Sequence, residues 1–407
     1  MPLIDYSFLS KILPKAKIKK SFRKAKKSYL NRVRLATSLF FFGMGFCFAT
    51  WASRIPDIKS VLQLSEAALG TLLFAIPVGQ LIAMPFSGKV VTHYGSRTIS
   101  ILGLLLYAVC LTLLGLATTS WQLAIGLFLF GFFGNFCNIA VNTQGVYTQQ
   151  LFDKPIIGSF HGSWSLAGFC GALVGLVMLA FKLSPLQHFA VALSLVIAIV
   201  LLNYKFILKV KSKQREEKSS YSFFKNPDMT LIWLGIVCFC GMASEGIMFD
   251  WSGVYFKEII KAPGALVVLG YTTFMISMAS GRFLSDILVR KYSAKKVLIS
   301  SGLVISAGLY MAVLLPYLIP CTIAFMLVGF GVSNVVPIIF NVAGNNEKVP
   351  PGIALTIVTS ISFLGFLIGP PLIGFIAELT SLKYSFAVIG VFGIIISILV
   401  SRLRLFK

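Results

Sequence analysis

The run MTLIWLGIVCFCGMASEGIMFDWSGV, residues 229–254, decides the fold class of this chain. Only two of its residues carry a charge at neutral pH, Glu245 and Asp250. A helix crosses a bilayer with about 20 mostly apolar residues, and in lipid its backbone polar groups pair within the helix itself. The run therefore predicts a membrane-spanning helix that carries two acids.

The rest of the chain follows the same pattern. Of its 407 residues, 57% are hydrophobic and 12% are charged, and the mean hydropathy is +0.88. This composition excludes a soluble domain, which needs more charge to cover its surface. We therefore predict an all-α membrane protein with twelve transmembrane helices, at 35–53, 66–87, 98–118, 121–144, 158–181, 187–207, 229–254, 265–288, 297–315, 317–341, 352–377 and 384–403.

Several residues recur in the second half of the chain at a nearly constant spacing. The matched residues, 199 or 200 positions apart, are Trp51 and Trp251, Leu69-Gly70 and Leu269-Gly270, Asn135 and Asn334, Asn142 and Asn341, and Gly145 and Gly344. Transporters built from internal repeats place their substrate sites where the repeats meet. The repeat therefore predicts two pseudo-symmetric six-helix halves with a site between them.

The distribution of charge divides the chain into four parts. A basic tail, 1–34, precedes the first six-helix half, 35–207. A charged linker, 208–228, precedes the second half, 229–404. We expect the tail and the linker to be cytoplasmic. The tail either lies on anionic lipid as an amphipathic helix or is a disordered segment that only enforces topology.

The net charge of +23 indicates topology rather than a nucleic-acid partner. If both termini are cytoplasmic, thirty of the 36 lysines and arginines lie on the cytoplasmic side, as the positive-inside rule requires. The six on the outer side are Arg54, Lys59, Lys182, Lys257, Lys261 and Lys383. We expect a multi-pass protein of a bacterial inner membrane.

Other classes of function find no support in the sequence. All seven cysteines lie in apolar runs, which favours core residues over disulfides or metal ligands. There is no Walker sequence for ATP and no catalytic or metal-ligand cluster. We predict neither an enzyme nor a cofactor. The expected partners are a small-molecule solute, protons and membrane lipids, and the expected state is a monomer.

The twelve helices, the related halves and the basic linker resemble the major facilitator superfamily over residues 35–404. The loop expected after the second helix, from Gly88 through Gly95 to Arg97, is similar to the cytoplasmic signature of that superfamily, with Thr92 where the signature has an acid. The matching loop of the second half is expected to hold Gly281, Arg282, Asp286 and Arg290. The resemblance implies the fold and the transport of a solute, without naming that solute.

Finer features resemble a bacterial branch related to fucose permease. They are the segment from Glu245 to Ser252 in helix 7, Asn142-Thr-Gln-Gly145 in helix 4, and His161-Gly-Ser-Trp164-Ser165 at the start of helix 5. This resemblance implies secondary transport of a small solute, often with proton symport. Helix 5 lacks the Gly-Pro pattern typical of drug–proton antiporters, which disfavours an efflux function.

Glu245 and Asp250 are the acids that the sequence places deepest in the membrane. At a rise of about 1.5 Å per residue from Met229, they lie about 24 Å and 31 Å along the helix. A charge at such depth costs at least about 2.5–3.5 kcal/mol, so the residue normally faces a cavity or a partner. We expect both acids to couple transport to protons. The alternative is a structural ion pair or a charge in a wet vestibule.

Three residues are expected near the outer mouth. Arg54 ends helix 1, and the repeat sets helix 1 against helix 7, so we expect Arg54 to pair with Asp250 as an outer gate. The alternative is an interfacial arginine that reaches for water. Trp51 and Trp251 either stack on a face of the substrate or belong to the aromatic belt at the membrane surface.

Asparagines recur in helices 4 and 10. Asn135, Asn138 and Asn142 follow i, i+3 and i+7, so they share one helical face. Asn334 and Asn341 repeat the outer two positions. Amides both donate and accept hydrogen bonds, so we expect these five residues to bind a polar solute. The alternative is hydrogen bonding between helices.

The leading functional prediction is a secondary active transporter that takes up a small polar solute, a sugar or related metabolite, by alternating access with proton coupling. Two alternatives remain open at this point. One is proton-driven efflux of amphipathic compounds, and the other is a membrane sensor or scaffold that transports nothing. A polar cavity built by both repeats would favour uptake, and an apolar aromatic cavity would favour efflux.

Overall fold

The computed structural model describes residues 15–152, 156–209, 228–346, 349 and 351–403. Within these ranges, twelve helical segments are long and apolar enough to cross a membrane, and no residue forms a strand. The predicted fold class, an all-α membrane protein with twelve transmembrane helices, is therefore confirmed.

The spans are numbered α1 to α12 in chain order. They are α1 (Lys15–Ala52), α2 in two pieces (Glu66–Leu73 and Ala75–Tyr94), α3 (Ser96–Leu114), α4 (Ser120–Gln149), α5 (Ile157–Ala180), α6 (Pro185–Asn203), α7 (Met229–Glu258), α8 (Leu269–Tyr292), α9 (Ala294–Leu314), α10 (Leu318–Gly344), α11 (Pro351–Leu379) and α12 (Leu382–Arg402). A short helix, Ile55–Val61, follows α1. Short 3₁₀ turns, Tyr204–Phe206 and Gly264–Val268, follow α6 and precede α8.

The described part of the basic tail is not a separate element. Helix α1 begins at Lys15 and runs without a break into the apolar span. Residues 1–14 of the tail and residues 210–227 of the linker lie outside the described residues.

The segments expected as loops after α2 and α8 are almost entirely helical, so that prediction was wrong. The signature residues lie in helices: Gly88 in α2, Arg97 in α3, and Gly281, Arg282, Asp286 and Arg290 in α8. The side chain of Asp286 lies outside the described residues. The chain leaves helical geometry at Gly95 (φ 84°, ψ 140°) and at Ser293 (φ 77°, ψ 151°). A single residue with positive φ suffices to separate two helices, so the polar residues before it extend the span.

The two halves are built with the same helix contacts. In the first half, α1 packs on α5, α2 packs on α4, and α3 packs on both α4 and α6. In the second half, α7 packs on α11, α8 packs on α10, and α9 packs on both α10 and α12. The predicted pseudo-symmetry is confirmed at the level of helix packing.

The halves meet along two seams, α2 with α11 and α5 with α8. We call the end of the bundle where α1 begins and α12 finishes the termini end, and the opposite end, which holds residues 53–65 and 259–268, the far end. Toward the far end, Gly70 of α2 lies against Pro370 and Gly374 of α11, so close that a Cβ at Gly70 would stand 2.7 Å from the Pro370 oxygen.

Toward the termini end, the same seam opens. The piece Ala75–Tyr94 of α2 has almost no contact with α11, whereas the piece Glu66–Leu73 packs closely on it. Helix α5 keeps its contact with α8 down to Gly162 and Phe283. The cleft between the halves therefore opens between α2 and α11 toward the termini end.

Candidate functional site

An ion pair lies deep in the bundle where α5, α7 and α8 meet. Nη2 of Arg282 on α8 donates to Oε1 of Glu245 on α7 at 2.9 Å. Nη1 of the same guanidinium donates to Oγ of Ser165 on α5, also at 2.9 Å. Since Ser165 belongs to the first half and the other two residues to the second, this cluster links the halves.

The two partners of this ion pair differ in burial. The side chain of Glu245 is 7% exposed and that of Arg282 is 27% exposed. Removing one partner of a buried ion pair typically costs about 3–5 kcal/mol, because the other charge is left uncompensated. The energy of Glu245 therefore depends on whether Arg282 stays beside it, and the open side of Arg282 is where a solute can reach the pair.

Aromatic rings fill the space between the halves on the far-end side of the ion pair. Phe249 lies one turn beyond Glu245 on α7. Its ring centroid is 5.2 Å from that of Phe48 on α1, 6.4 Å from that of Trp164 on α5, and 6.4 Å from that of Phe366 on α11. The cluster combines both halves and separates the ion pair from the far end.

The far end is closed by charged contacts that cross between the halves. Nζ of Lys59 contacts Oε1 of Glu66 in its own half at 3.2 Å and also pairs with Glu258 of the second half. Nζ of Lys257 donates to the carbonyl oxygen of Pro56 at 3.0 Å. We call Lys59, Glu66, Lys257 and Glu258 the far-end clasp.

Arg54 does not form a gate with Asp250, so the predicted ion pair is wrong. Nη1 of Arg54 bonds to Oδ2 of Asp57 at 2.6 Å, Nε to Nδ1 of His188 at 3.1 Å, and Nη2 to the Leu183 carbonyl oxygen at 2.8 Å. All three partners belong to the first half. The repeat does bring the ends of α1 and α7 together, but the buried guanidinium turns back into its own half.

Asp250 stands apart from the ion pair. It lies five residues beyond Glu245 and therefore on another face of α7. It is half-buried, and no hydrogen bond or ion pair joins it to another described residue. Its role in proton coupling stays a prediction.

The two repeated tryptophans are core residues. Trp51 and Trp251 are both fully buried. Neither belongs to an aromatic belt at the membrane surface, so that alternative is wrong. Both indole nitrogens are buried without a hydrogen-bond partner in the described part of the chain. Contact of these rings with a substrate stays a prediction.

The asparagines of α4 lie beside the cleft. Oδ1 of Asn135 accepts a hydrogen bond from Ser87 of α2 at 2.6 Å, and Gly145 packs against α1 and α5. The face between these two contacts carries Asn138, which is exposed, and Asn142, whose Nδ2 donates to Oδ1 of Asn138 at 3.2 Å. This face therefore borders the gap between α2 and the helices α1 and α5.

The asparagines of α10 have different surroundings. Asn334 is buried, and its Nδ2 donates to the Phe330 carbonyl oxygen at 3.1 Å within the same helix. Asn341 lies at the termini end beside a cavity of about 400 Å³ between α8, α9 and α10, which Ser285 and Arg290 also line. The five asparagines thus do not form one surface, in contrast to the expectation.

Comparison with known proteins agrees with this architecture. The sequence model described as Major Facilitator Superfamily matches residues 35–348 and 272–406.

The chain belongs to the major facilitator superfamily. An uncharacterized MFS-type transporter of Yersinia pestis is 33% identical to it, over 88% of this chain and 92% of the relative. The membrane protein MosC of Rhizobium meliloti is 28% identical, over 89% of this chain and 88% of the relative.

A solved structure has the same fold. A mutant form of the nucleoside transporter NupG superimposes with a TM-score of 0.78 at 13% identity, covering 92% of this chain and 100% of the other. At this level of identity the likeness shows the fold alone. The finer resemblance to the fucose-permease branch stays a prediction.

The two halves of this major facilitator protein align by packing at a spacing of 198 residues. Gly131 of α4 lies against the carbonyl oxygen of Ile76 on α2, and Gly329 of α10 lies against that of Phe274 on α8. The matched asparagines are 199 residues apart, one residue out of this register. Because an α-helix turns about 100° per residue, they point in different directions, which accounts for their different surroundings.

The residue that completes the site, Arg282, was expected in a cytoplasmic loop. It lies ten residues before the end of α8, about 15 Å along the helix. An arginine at the end of a span usually extends toward water, but this one extends toward Glu245. The signal for it was an arginine within the apolar run 265–288, on a helix next in sequence to one that carries a buried acid.

Proposed function

We propose that this protein is a secondary active transporter that moves a small polar solute across a bacterial inner membrane by alternating access, coupled to protons. The observation that carries the proposal is the buried ion pair of Glu245 and Arg282. It is bonded through Ser165 to the other half, between a cleft open at one end and an aromatic cluster that closes the other.

The proposed coupling follows from the cost of an unpaired charge in a protein interior. While Glu245 is ionised, it holds Arg282. When Glu245 takes up a proton, the attraction is lost and Arg282 becomes available to a solute in the cleft. Return of the empty carrier is favoured once the proton has left and the ion pair has formed again, because an unpaired buried charge is costly.

The proposed orientation places the termini end in the cytoplasm. The positive-inside rule supports it, since thirty of the 36 basic residues then lie on that side. The structure would then be an inward-open state, with the far-end clasp closing the outer face. Opening the clasp while closing the α2–α11 seam would expose the ion pair to the outside.

Replacing Glu245 tests the coupling. Glu245→Gln mimics the protonated acid at almost the same volume and cannot release a proton. In proteoliposomes we expect it to keep solute exchange but to lose accumulation when a pH gradient is the sole driving force. Solute uptake is measured with and without the imposed gradient.

Asp250→Asn is the matched control on the same helix. It removes an acid that makes no contact with Arg282, so we expect a smaller loss of accumulation. If Glu245→Gln concentrates solute as the wild type does under a proton gradient alone, Glu245 is not the coupling residue.

Proton-driven efflux of amphipathic compounds is a second candidate, favoured by one observation. The rings of Phe48, Trp164, Phe249 and Phe366 give the cleft an apolar wall on the far-end side. Efflux would require a large apolar solute to stack there. Export of a fluorescent lipophilic cation from inverted vesicles on acidification would support this candidate over uptake.

A further inference from the structure

We infer that Arg282 is the recognition group for a carboxylate on the solute, and that the solute is a small monocarboxylate transported with one proton. This inference rests on the proposed function, because it assigns the solute class of the same site. The juxtaposition behind it is a half-open guanidinium whose counter-charge is supplied by a removable acid, Glu245.

The hydrogen-bonding capacity of Arg282 supports this role. A guanidinium has five N–H donors in a flat fork that matches a carboxylate. The structure uses one on Glu245 and one on Ser165. The side chain is nearly four times as exposed as that of Glu245. A carboxylate arriving through the cleft can therefore bond to Arg282 where Glu245 bonds to it now.

The charge balance of the site selects the solute class. In the empty site, ionised Glu245 and Arg282 sum to zero. If a neutral solute bound with a proton on Glu245, the buried site would carry an unpaired positive charge. If a monocarboxylate binds with the proton, protonated Glu245, Arg282 and the solute again sum to zero. Only the second exchange avoids an uncompensated charge in the protein interior.

The surroundings contain other titratable groups that the test has to separate. His161 of α5 is one turn before Ser165 and interacts electrostatically with Arg282. Cys238 of α7 is within electrostatic reach of Glu245, and Tyr271 of α8 is within reach of Asp250. His161 is the one that contributes a positive charge near Arg282 at low pH, so it is removed in a control.

Acetate and acetamide form a matched pair of probes that differ in charge alone. In Glu245→Gln, Arg282 has lost its carboxylate, so acetate should bind about tenfold more tightly than in the wild type near pH 8. Acetamide should bind neither protein. Binding is read from the melting temperature of the purified full chain as the probe is titrated, with chloride at equal ionic strength as the reference.

The wild type should gain affinity for acetate as the pH is lowered from about 8 to about 6, whereas Glu245→Gln should show no such gain. His161→Gln should behave as the wild type does. The double variant Glu245→Gln with Arg282→Gln should lose the acetate response. If Glu245→Gln folds poorly, Glu245→Ala with acetate supplied during purification takes its place.

The outcomes separate this inference from the proposed function. If acetate stabilises Glu245→Gln no more than acetamide does, the carboxylate site is overturned, while proton-driven accumulation of a neutral solute would still support the transporter. If acetate binds as expected but Glu245→Gln still concentrates solute, proton coupling fails and the carboxylate site stands. If the double variant keeps the acetate response, another cation binds the probe and the assignment to Arg282 is wrong.

Discussion

Single residues in this molecule adopt states that neither their identity nor their neighbours in sequence announce. Ser293 sits between α8 and α9 at φ 77° and ψ 151°. This backbone region is populated almost exclusively by glycine, and a residue with a Cβ there costs about 1–3 kcal/mol. Its counterpart 198 residues earlier is Gly95, at φ 84° and ψ 140°, so one half places glycine at this joint and the other tolerates strain.

Ser293→Gly should therefore stabilise the protein. Relief of strain is offset by the greater freedom of glycine in the unfolded chain, so we expect a gain of about 1 kcal/mol. Thermal unfolding in detergent measures it. Gly95→Ala is the matched control and should destabilise by a comparable amount. An unchanged or lower melting temperature for Ser293→Gly would contradict the strain at this joint.

At the scale of helices, the crossings of α2 with α4 and of α8 with α10 depend on one glycine each. A Cβ at Gly131 would overlap the carbonyl oxygen of Ile76, and a Cβ at Gly329 would overlap that of Phe274. Small residues allow such close approach between helix backbones in membranes. Since a carbonyl cannot move without its helix, larger residues here have to push the two helices apart.

Gly131→Ala and Gly329→Ala should each destabilise the protein by about 1–3 kcal/mol, the usual cost of overpacking. Gly158→Ala in α5 is the control, because no atom outside its own helix lies within 4 Å of the added Cβ. There the better helix propensity of alanine should give a gain of up to about 1 kcal/mol. Denaturation curves of the three variants decide, and equal effects at positions 131 and 158 would refute the packing argument.

At the scale of the whole molecule, closure of the far end balances the open cleft at the termini end. The clasp residue Lys59 joins Glu66 of its own half to Glu258 of the other half. These side chains are partly exposed, so water and salt weaken the attraction, and one such contact is worth about 1 kcal/mol or less. Closure at the far end therefore also depends on the packing of α2 on α11 near Gly70.

Glu258→Gln should shift the molecule toward opening at the far end. Loss of about 1 kcal/mol raises the far-end-open population up to about fivefold. Spin labels at Val61 and Lys261, one in each half, report it as a longer distance in a chain with Cys170→Ala. Lys182→Gln is the control. An unchanged distance distribution in Glu258→Gln means that the clasp does not hold this state.

The candidate site could be predicted from the sequence only in part. Glu245 stands out because an acid in an apolar run is costly and conspicuous. Its partner Arg282 does not, because a basic residue near the end of a span usually extends to water and carries no sign of the direction it takes. Arg54 shows the reverse error: an apparent gate residue whose three partners all belong to its own half.

The sequence by itself determined the fold class, the number of spans and the existence of two halves. These follow from length and hydropathy, because lipid forces each apolar run of sufficient length into a helix. The tertiary structure decided which charges pair, which end is closed and which faces of α4 and α10 meet the cleft. A shift of one residue turns a helix by about 100°, and matched letters 199 or 200 residues apart cannot resolve that shift, whereas contacts between backbones 198 residues apart do.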